Sequence, residues 1–296
     1  MSAPASGEAI RLSYQPRGRA VGPASPPVTV AAGRRLNRAA GTIALSVLID
    51  SAMEHYRGDF HNPVMATPLL SSVASLAMSV HGAADRRGGS HVARDTAYVA
   101  AGLAGVVGTG FHVYNVTKRI GGFSWQNLFY AAPIGAPMAM ALSGLVGFMA
   151  ERVRNADDDR PTVFGVDAGR AIAATTAVSL LGTTAEAGLL HFRGAFHNPF
   201  MLLPVTMPPV AAALIGEVAF GRAEPRPITR GWLIATAAMG VAGVALHTYG
   251  VSRAMGGWKN WRQNFFSGPP LPAPPAFTGL ALAGLAALSL LREERA

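Results

Sequence analysis

The chain has 296 residues, of which 50% are hydrophobic and only 14% are charged, whereas about 25% is usual for soluble domains. It carries a formal net charge of +9 and has no cysteine, which excludes disulfides, cysteine-bound iron–sulfur clusters and covalently attached c-type haem. Apolar segments of about 20 residues, the length that spans a lipid bilayer, recur along the chain. We therefore predict an all-α polytopic membrane protein, in which arginines at helix ends explain the positive charge without a nucleic-acid partner.

Residues 1–35 are rich in Pro, Gly, Ala and Ser and lack the short apolar core of a cleavable signal peptide. We expect them to form a disordered cytoplasmic tail.

Eight transmembrane helices are predicted after this tail. Asn62 and Asn198 each precede a proline and are expected to cap a helix, since proline is favoured in a first turn. The first segment is the least apolar, because Asp50 and Glu54 interrupt it. The predicted spans are 36–56, 63–84, 96–116, 133–152, 170–192, 199–221, 231–251 and 275–292.

The sequence also repeats itself. "HYRGDFHNPVM" at 55–65 returns as "HFRGAFHNPFM" at 191–201 with eight of eleven positions identical, and "FHVYNVTKRIGG" at 111–122 resembles "LHTYGVSRAMGG" at 246–257. These matches predict a tandem, parallel duplication of a four-helix unit. The predicted first repeat is 36–152, a cytoplasmic linker is 153–168, and the second repeat is 169–296. Because each repeat has an even number of helices, both repeats would enter the membrane from the same side. Equivalent residues of the two repeats would then lie at the same depth.

The orientation is predicted from Lys and Arg. The tails and the connections after predicted helices 2, 4 and 6, with the adjoining helix ends, hold 18 of the 25 Lys and Arg residues. The connections after predicted helices 1, 3, 5 and 7 hold the other 7. The positive-inside rule then predicts that both termini lie in the cytoplasm. Arg outnumbers Lys 23 to 2, which is typical of a GC-rich bacterial genome, so we expect a bacterial inner-membrane protein. Trp125, Trp258 and Trp261 lie in outer connections and predict short amphipathic helices at the interface.

Six of the eight histidines are predicted to collect near the outer face, in two matched sets of three. A carboxylate lies about one and a half turns deeper in each set, and carboxylates within a membrane mark functional sites. Imidazole and carboxylate together suit iron, manganese or zinc. The residues predicted to be metal ligands or their immediate neighbours are Asp50, His55, His61, His112, Glu186, His191, His197 and His247.

The geometry of each set requires a loop. Asp50 and His55 are five residues apart and cannot both face inward on a straight helix. We therefore expect the segment after His55 to fold back and bring His61 over the carboxylate. Around this predicted site, Tyr114 and Tyr249 are candidate hydrogen-bond partners of the ligands. Arg57 and Arg193 are candidates to bind an anionic substrate or to pair with the carboxylates.

Three functions fit this pattern. The leading hypothesis is a membrane oxidoreductase with a two-metal, non-haem iron site that acts on a lipid-soluble or periplasmic substrate. The second is a haem b or quinone-binding subunit that exchanges electrons with a periplasmic or membrane partner. In that case His55 would pair with His112, and His191 with His247, while the carboxylates would have no assigned role. The third is an ion or metal transporter, although transport sites tend to lie near the midplane.

Overall fold

The structure is a computed structural model that describes residues 28–130, 133–156 and 161–293. About 80% of it is helical. A hairpin of two short antiparallel strands, β1 (Thr162–Val163) and β2 (Val166–Asp167), lies in the predicted linker. The described ranges contain ten α-helices: α1 (Val28–Arg57), α2 (Thr67–Ala84), α3 (Val92–Thr117), α4 (Trp125–Tyr130), α5 (Gly135–Arg154), α6 (Ala168–Arg193), α7 (Leu203–Ala219), α8 (Pro227–Arg253), α9 (Trp261–Ser267) and α10 (Pro275–Glu293).

Local signals in the sequence locate these helices well. Each of the eight predicted segments coincides with a long helix, and the short helices α4 and α9 lie in the connections where tryptophans predicted them. The side chains of Asn62 and Asn198 accept hydrogen bonds at 3.0 Å from the backbone N–H groups of Val64 and Phe200. Each asparagine therefore caps the 3₁₀ turn that leads into α2 or α7, as predicted.

The largest difference from the predicted helix bounds is at the start of α1. This helix begins at Val28, so residues 28–35 are helical although the sequence predicted disorder through residue 35. Tertiary contacts explain the extension: Val30 and Leu36 are buried, and the Arg34 side chain donates a 2.8 Å hydrogen bond to the carbonyl of Ala83 at the end of α2. The rest of the predicted tail, residues 1–27, lies outside the described residues.

The long helices form two groups of four. In the first group α1 packs on α2 and α5, and α3 packs on α2 and α5; in the second group α6 packs on α7 and α10, and α8 packs on α7 and α10. The groups meet along two seams, which we call the α1–α10 seam and the α5–α6 seam. Small residues allow the helices to approach closely: a Cβ atom added to Gly144 of α5 would lie 2.3 Å from the backbone of Gly102 in α3.

The outer surface of the assembly is apolar. Large aliphatic side chains on α2, α3 and α8, such as Leu70, Leu103 and Val241, are more than 60% exposed. An apolar surface of this extent is typical of a protein surrounded by lipid. Five helical segments are long and apolar enough to cross a membrane, which fits an all-α, multi-pass membrane protein: Pro63–Ala84, Val92–Thr117, Pro199–Ala219, Pro227–Arg253 and Pro275–Arg292.

Within the described ranges, the helices α1, α5 and α6 do not meet the same criteria of length and apolarity. Helix α1 carries Arg34, Arg35 and Arg38 near its start and Asp50 and Glu54 near its end. It lies between α2, α5 and α10, where neighbouring helices rather than lipid cover much of its surface.

Candidate functional site: paired histidines at one end of the assembly

Four histidines lie at the same end of the assembly, which we call the histidine end: His55 in α1, His112 in α3, His191 in α6 and His247 in α8. Each is half-buried in the last two turns of its helix. The structure thus places the four where the sequence predicted them, one on the first and one on the third long helix of each half.

Each of these imidazoles is fixed by the same kind of hydrogen bond. Its Nδ1 atom contacts the carbonyl oxygen of a residue in the connection that leads into the next long helix of the same group. The four contacts are His55 with Met65 at 2.6 Å, His112 with Pro133 at 2.6 Å, His191 with Met201 at 3.0 Å, and His247 with Pro270 at 2.7 Å. The contacts of His55 and His191 are therefore equivalent, and so are those of His112 and His247.

The acceptor in each contact determines which nitrogen carries the proton. A carbonyl oxygen only accepts hydrogen bonds, so Nδ1 must donate, and in the neutral ring the lone pair then lies on Nε2. None of the four Nε2 atoms has a hydrogen-bond partner among the described residues. This is the state in which a histidine binds a metal, with one nitrogen held by the protein and the other free.

A strained turn follows His55 and recurs after His191. Asp59 and Phe60 have φ angles of 56° and 45°, and Ala195 and Phe196 have 55° and 47°. Residues with a side chain disfavour this left-handed region by roughly 1–2 kcal/mol each. The turn carries the phenylalanine back against the imidazole, edge to face, with ring centroids 6.0 Å apart for His55–Phe60 and 6.1 Å for His191–Phe196. Strain repeated at one position in both halves is typical of a functional constraint.

The two halves differ in how closely their imidazoles approach. In the second half, the rings of His191 and His247 have centroids 6.4 Å apart and planes inclined at 78°. In the first half, the described side chains of His55 and His112 make no such ring contact, although their anchoring bonds are equivalent.

The third histidine of each predicted set stays in its own loop. His61 and His197 are exposed, and each Nδ1 atom lies 2.9 Å from a carbonyl oxygen within the strained turn, that of Gly58 or Gly194. The chain folds back after His55 and His191, as expected, but it brings a phenylalanine rather than this histidine onto the helix. The reason is that the two residues with positive φ, 59–60 or 195–196, complete the turn before the chain reaches His61 or His197. The phenylalanine, which is the second of these residues, therefore lies against the helix.

No hydrogen bond joins either predicted carboxylate to the four anchored imidazoles in the described part of the chain. Asp50 and Glu186 are both half-buried. The Glu186 side chain rests on α5, where a Cβ atom added to Gly135 would lie 2.7 Å from Glu186 Cγ. Its Oε1 atom is buried and has no hydrogen-bond partner among the described residues. Glu186 thus faces the α5–α6 seam.

Of the remaining predicted residues, Arg193 lies near a predicted carboxylate, since it interacts electrostatically with Glu186. Arg57 pairs with Glu54 of its own helix at 2.7 Å and does not reach Asp50. Arg193 donates to the carbonyl of Leu128 at 3.2 Å and lies over the Phe129 ring. Tyr114 and Tyr249 are each 61% exposed, so the structure does not bring either hydroxyl to the histidine pairs.

These positions bear on the predicted metal centre. In the described part of the chain, no three or more His, Asp or Glu side chains are grouped so that they could hold one metal ion. The structure therefore brings His191 and His247 together as a pair and does not assemble the eight predicted ligands into one cluster.

Sequence reasoning missed a second polar cluster, at the opposite end of the first group. Arg94 in α3 is 1% exposed and donates to Glu151 in α5 and to Asp85, both at 2.9 Å. Arg154 in α5 donates to the carbonyl of Gly82 at 2.7 Å and to Asn37 at 3.0 Å. We call this end the arginine end. Among the charged members of this cluster only Glu151 lies within a predicted helix, where a charge is a signal of function, and its pairing is not visible in sequence.

Local hydrogen bonds and the Arg94 guanidinium hold the pKa of Asp85 well below its usual value, at about 2. The largest cause is the hydrogen bond from the backbone N–H of Arg87, followed by the one from the Arg94 side chain. Asp85 lies in the connection between α2 and α3, so this carboxylate stays ionised at the surface of the cluster.

Comparison of the chain with protein-family models, with curated proteins and with solved structures finds no match. Functional inference therefore depends on the geometry of the site.

Proposed function

We propose that this protein binds haem between paired histidines and exchanges electrons at one face of a bacterial inner membrane. The observation that carries the proposal is the His191–His247 pair, with ring centroids 6.4 Å apart and both Nδ1 atoms anchored to carbonyl oxygens. These two side chains would hold the haem iron through their Nε2 atoms, and the haem would supply the electron-transfer chemistry.

The number of ligands favours haem over the two-metal site. A bare iron, manganese or zinc ion needs at least three protein ligands, and no such group exists among the described residues. Haem supplies four nitrogen ligands itself and needs only two imidazoles from the protein. The second group of helices offers these two from α6 and α8, and bundle cores are a common place for such cofactors.

We further propose that the chain is a tandem duplication of a membrane-spanning four-helix unit. The equivalent anchoring bonds and the strained turn in both halves support it. Asn127 and Asn264 add another pair, since each side-chain amide donates to the carbonyls of Gly122 and Ile120, or of Gly257 and Met255. By this equivalence His55 and His112 form a second site of the same kind.

The orientation belongs to the same proposal. Both termini face the cytoplasm and the histidine end faces the periplasm, in accord with the distribution of Arg and Lys. The absence of cysteine makes this easy to test, because a single introduced cysteine is the only thiol to react. A membrane-impermeant maleimide applied to intact cells is expected to label Ser124→Cys at the histidine end and to leave Ser90→Cys at the arginine end unlabelled.

Absorption spectroscopy of the purified protein tests the haem. We expect an intense Soret band that shifts on reduction, with up to two haems per chain. His191→Ala and His247→Ala are each expected to remove the same fraction of the haem, because each deletes one ligand of one site. His55→Ala and His112→Ala are expected to remove the remainder.

The exposed His197 provides the matched control, since its Nδ1 contact lies within its own turn. His197→Ala is expected to leave the spectrum unchanged. A folded protein, expressed with ample haem supply, that shows no Soret band would overturn the proposal. Stoichiometric iron or manganese without a Soret band would instead favour the two-metal site.

A further inference from the structure

The two seams between the halves are built differently. In the α1–α10 seam, the Ser46 hydroxyl donates to the carbonyl of Pro272, and Tyr56 stacks on Phe266 with ring centroids 4.9 Å apart. A Cβ atom added to Gly279 would lie 2.5 Å from Ile43, so the helices are in direct contact. This seam has no room for a ligand at that point.

At the equivalent place the α5–α6 seam is open. A cleft of about 390 Å³ lies between α6, α4 and the start of α5. Gly182, which corresponds in the repeat to Ser46, lines it, and a Cβ atom added there would meet nothing within 4 Å. Phe192, which corresponds to Tyr56, stands edge-on to Phe129 at 5.9 Å and does not fill the space. The cleft is therefore not a general consequence of the fold.

The lining of the cleft is apolar and aromatic with one exception. Its walls include Trp125, Leu128, Ile134, Leu189 and Phe192. Glu186 is the exception, and its Oε1 atom is buried without a partner among the described residues. A buried carboxylate oxygen that lacks a hydrogen bond is costly, and a ligand that donates one would relieve that cost.

The charges near Glu186 do not call for a charged ligand. Arg193, two turns away on α6, and Asp50 of α1 both interact electrostatically with Glu186, so charges of both signs already surround the carboxylate. A ligand ammonium, such as that of a lipid headgroup, would be repelled by Arg193 as well as attracted by the carboxylates and would gain little from this balance. A neutral hydroxyl donor is not repelled, and a flat ring fits against Trp125 and Phe192, whose own centroids are 6.3 Å apart.

We infer that the cleft binds the ring of a membrane hydroquinone, whose hydroxyl group donates a hydrogen bond to Oε1 of Glu186. The site adjoins the second histidine pair, because Phe192 lines the cleft and directly follows His191 in α6. The inference names the partner for the proposed electron exchange and in that respect rests on the proposed function. Binding itself does not require the haem.

Titration calorimetry on the full-length protein in detergent provides the test. The probe is a short-tailed benzohydroquinone kept reduced under anaerobic conditions, and its dimethyl ether is the matched compound without a hydroxyl donor. We expect the hydroquinone to bind at least tenfold more tightly than the ether. Glu186→Leu is expected to weaken hydroquinone binding at least tenfold, and Glu186→Gln, which keeps an acceptor oxygen, to weaken it less.

Gly182→Leu gives an independent variant because the space beside Gly182 is open, so the new side chain is expected to occupy the cleft and abolish binding without disturbing the fold. Gly231→Leu is its control, since Gly231 in α8 is equally open but lies away from the cleft. If Glu186→Leu fails to fold in gel filtration, Gly182→Leu decides the question.

The outcomes separate the two proposals. Equal affinity for hydroquinone and ether, or wild-type affinity in a folded Glu186→Leu or Gly182→Leu variant, would overturn the hydroquinone site. Displacement of the probe by phosphatidylethanolamine, with no dependence on Glu186, would identify a lipid groove and overturn it as well. Binding that depends on Glu186 in a protein without a Soret band would retain this site and reject the haem.

Discussion

The histidine end and the arginine end of this protein differ in how closely the two halves agree. At the histidine end, anchoring hydrogen bonds, strained turn and asparagine caps occur in both halves. At the arginine end, the first half has an ionic network where the second half has apolar side chains. Since both ends belong to the same helices, packing alone cannot explain why only one end keeps its residues.

Matching positions show how the two halves differ at the arginine end. Glu151 and Arg154 of α5 correspond to Leu288 and Leu291 of α10, and all four are buried. Tyr98 lies against Gly147 in the first half, and Leu233 lies against Gly284 in the second. Buried ion pairs and well-packed leucines can fill similar space, and replacing one by the other is often neutral in energy. The two halves therefore fill similar space at the arginine end with different side chains, whereas at the histidine end they use the same residues.

The largest effect is expected for a single break in the network. Glu151→Leu removes one of the two carboxylates paired with the buried Arg94, and removing one partner of a buried ion pair costs about 3–5 kcal/mol. We expect a large fall in the apparent melting temperature. It is measured by heating the detergent-solubilised protein and determining the remaining folded fraction by gel filtration.

The matched control is the triple variant Arg94→Thr, Glu151→Leu and Arg154→Leu. Each introduced residue is the one found at the matching position of the second half: Thr229, Leu288 and Leu291. Because neither buried guanidinium remains, this triple variant is expected to be more stable than Glu151→Leu alone. A triple variant that is the less stable of the two would show that the halves are not interchangeable in packing.

Acid is expected to weaken the arginine end of the first half. The pKa of Asp85 in the folded protein, about 2, lies below its ordinary value of 3.8. The carboxylate therefore stabilises the fold above about pH 4, and that contribution is lost as the pH falls from there to about 2. Asp85→Asn is expected to lower stability at pH 7 and to reduce the acid dependence in this window. If the pH dependence of stability between about pH 4 and 2 is the same in Asp85→Asn as in the wild type, groups other than Asp85 cause it.

A smaller and equal effect is expected at the two asparagine caps. Asn62→Ala and Asn198→Ala each remove one hydrogen bond to a helix N-terminus, a loss of about 1 kcal/mol. Asn62→Asp and Asn198→Asp keep the acceptor and should retain most of the stability. If melting curves show a loss of stability in only one of the variants Asn62→Ala and Asn198→Ala, the two asparagines do not have equivalent roles.

The smallest effect is expected at the strained turns. Asp59→Gly and Ala195→Gly remove the conflict between a side chain and positive φ, and are expected to raise stability by up to about 1 kcal/mol. Ala187→Gly within α6 is the control and should lower stability by about the same amount. If Ala195→Gly is as damaging as this control, the turn is not strained in solution.

The sequence alone determined the features of this protein that depend on neighbouring residues. Apolar segments located the eight long helices, Asn62 and Asn198 marked the start of two of them, and the tryptophans marked the short helices. The repeated motif also placed four histidines at one end. These features follow from hydrophobic length, capping and helix geometry, all of which act within a few turns of the chain.

Only the tertiary structure decided which side chains meet. The pairing of Arg94 with Glu151 joins residues on different helices, and nothing in the local sequence distinguishes Arg94 from an arginine at a membrane surface. The same is true of His61, which stays in its turn, and of Glu186, which faces a seam that is closed at the equivalent place in the other half. Each outcome depends on how the two groups of helices pack, and that is fixed by long-range contacts rather than by any single segment.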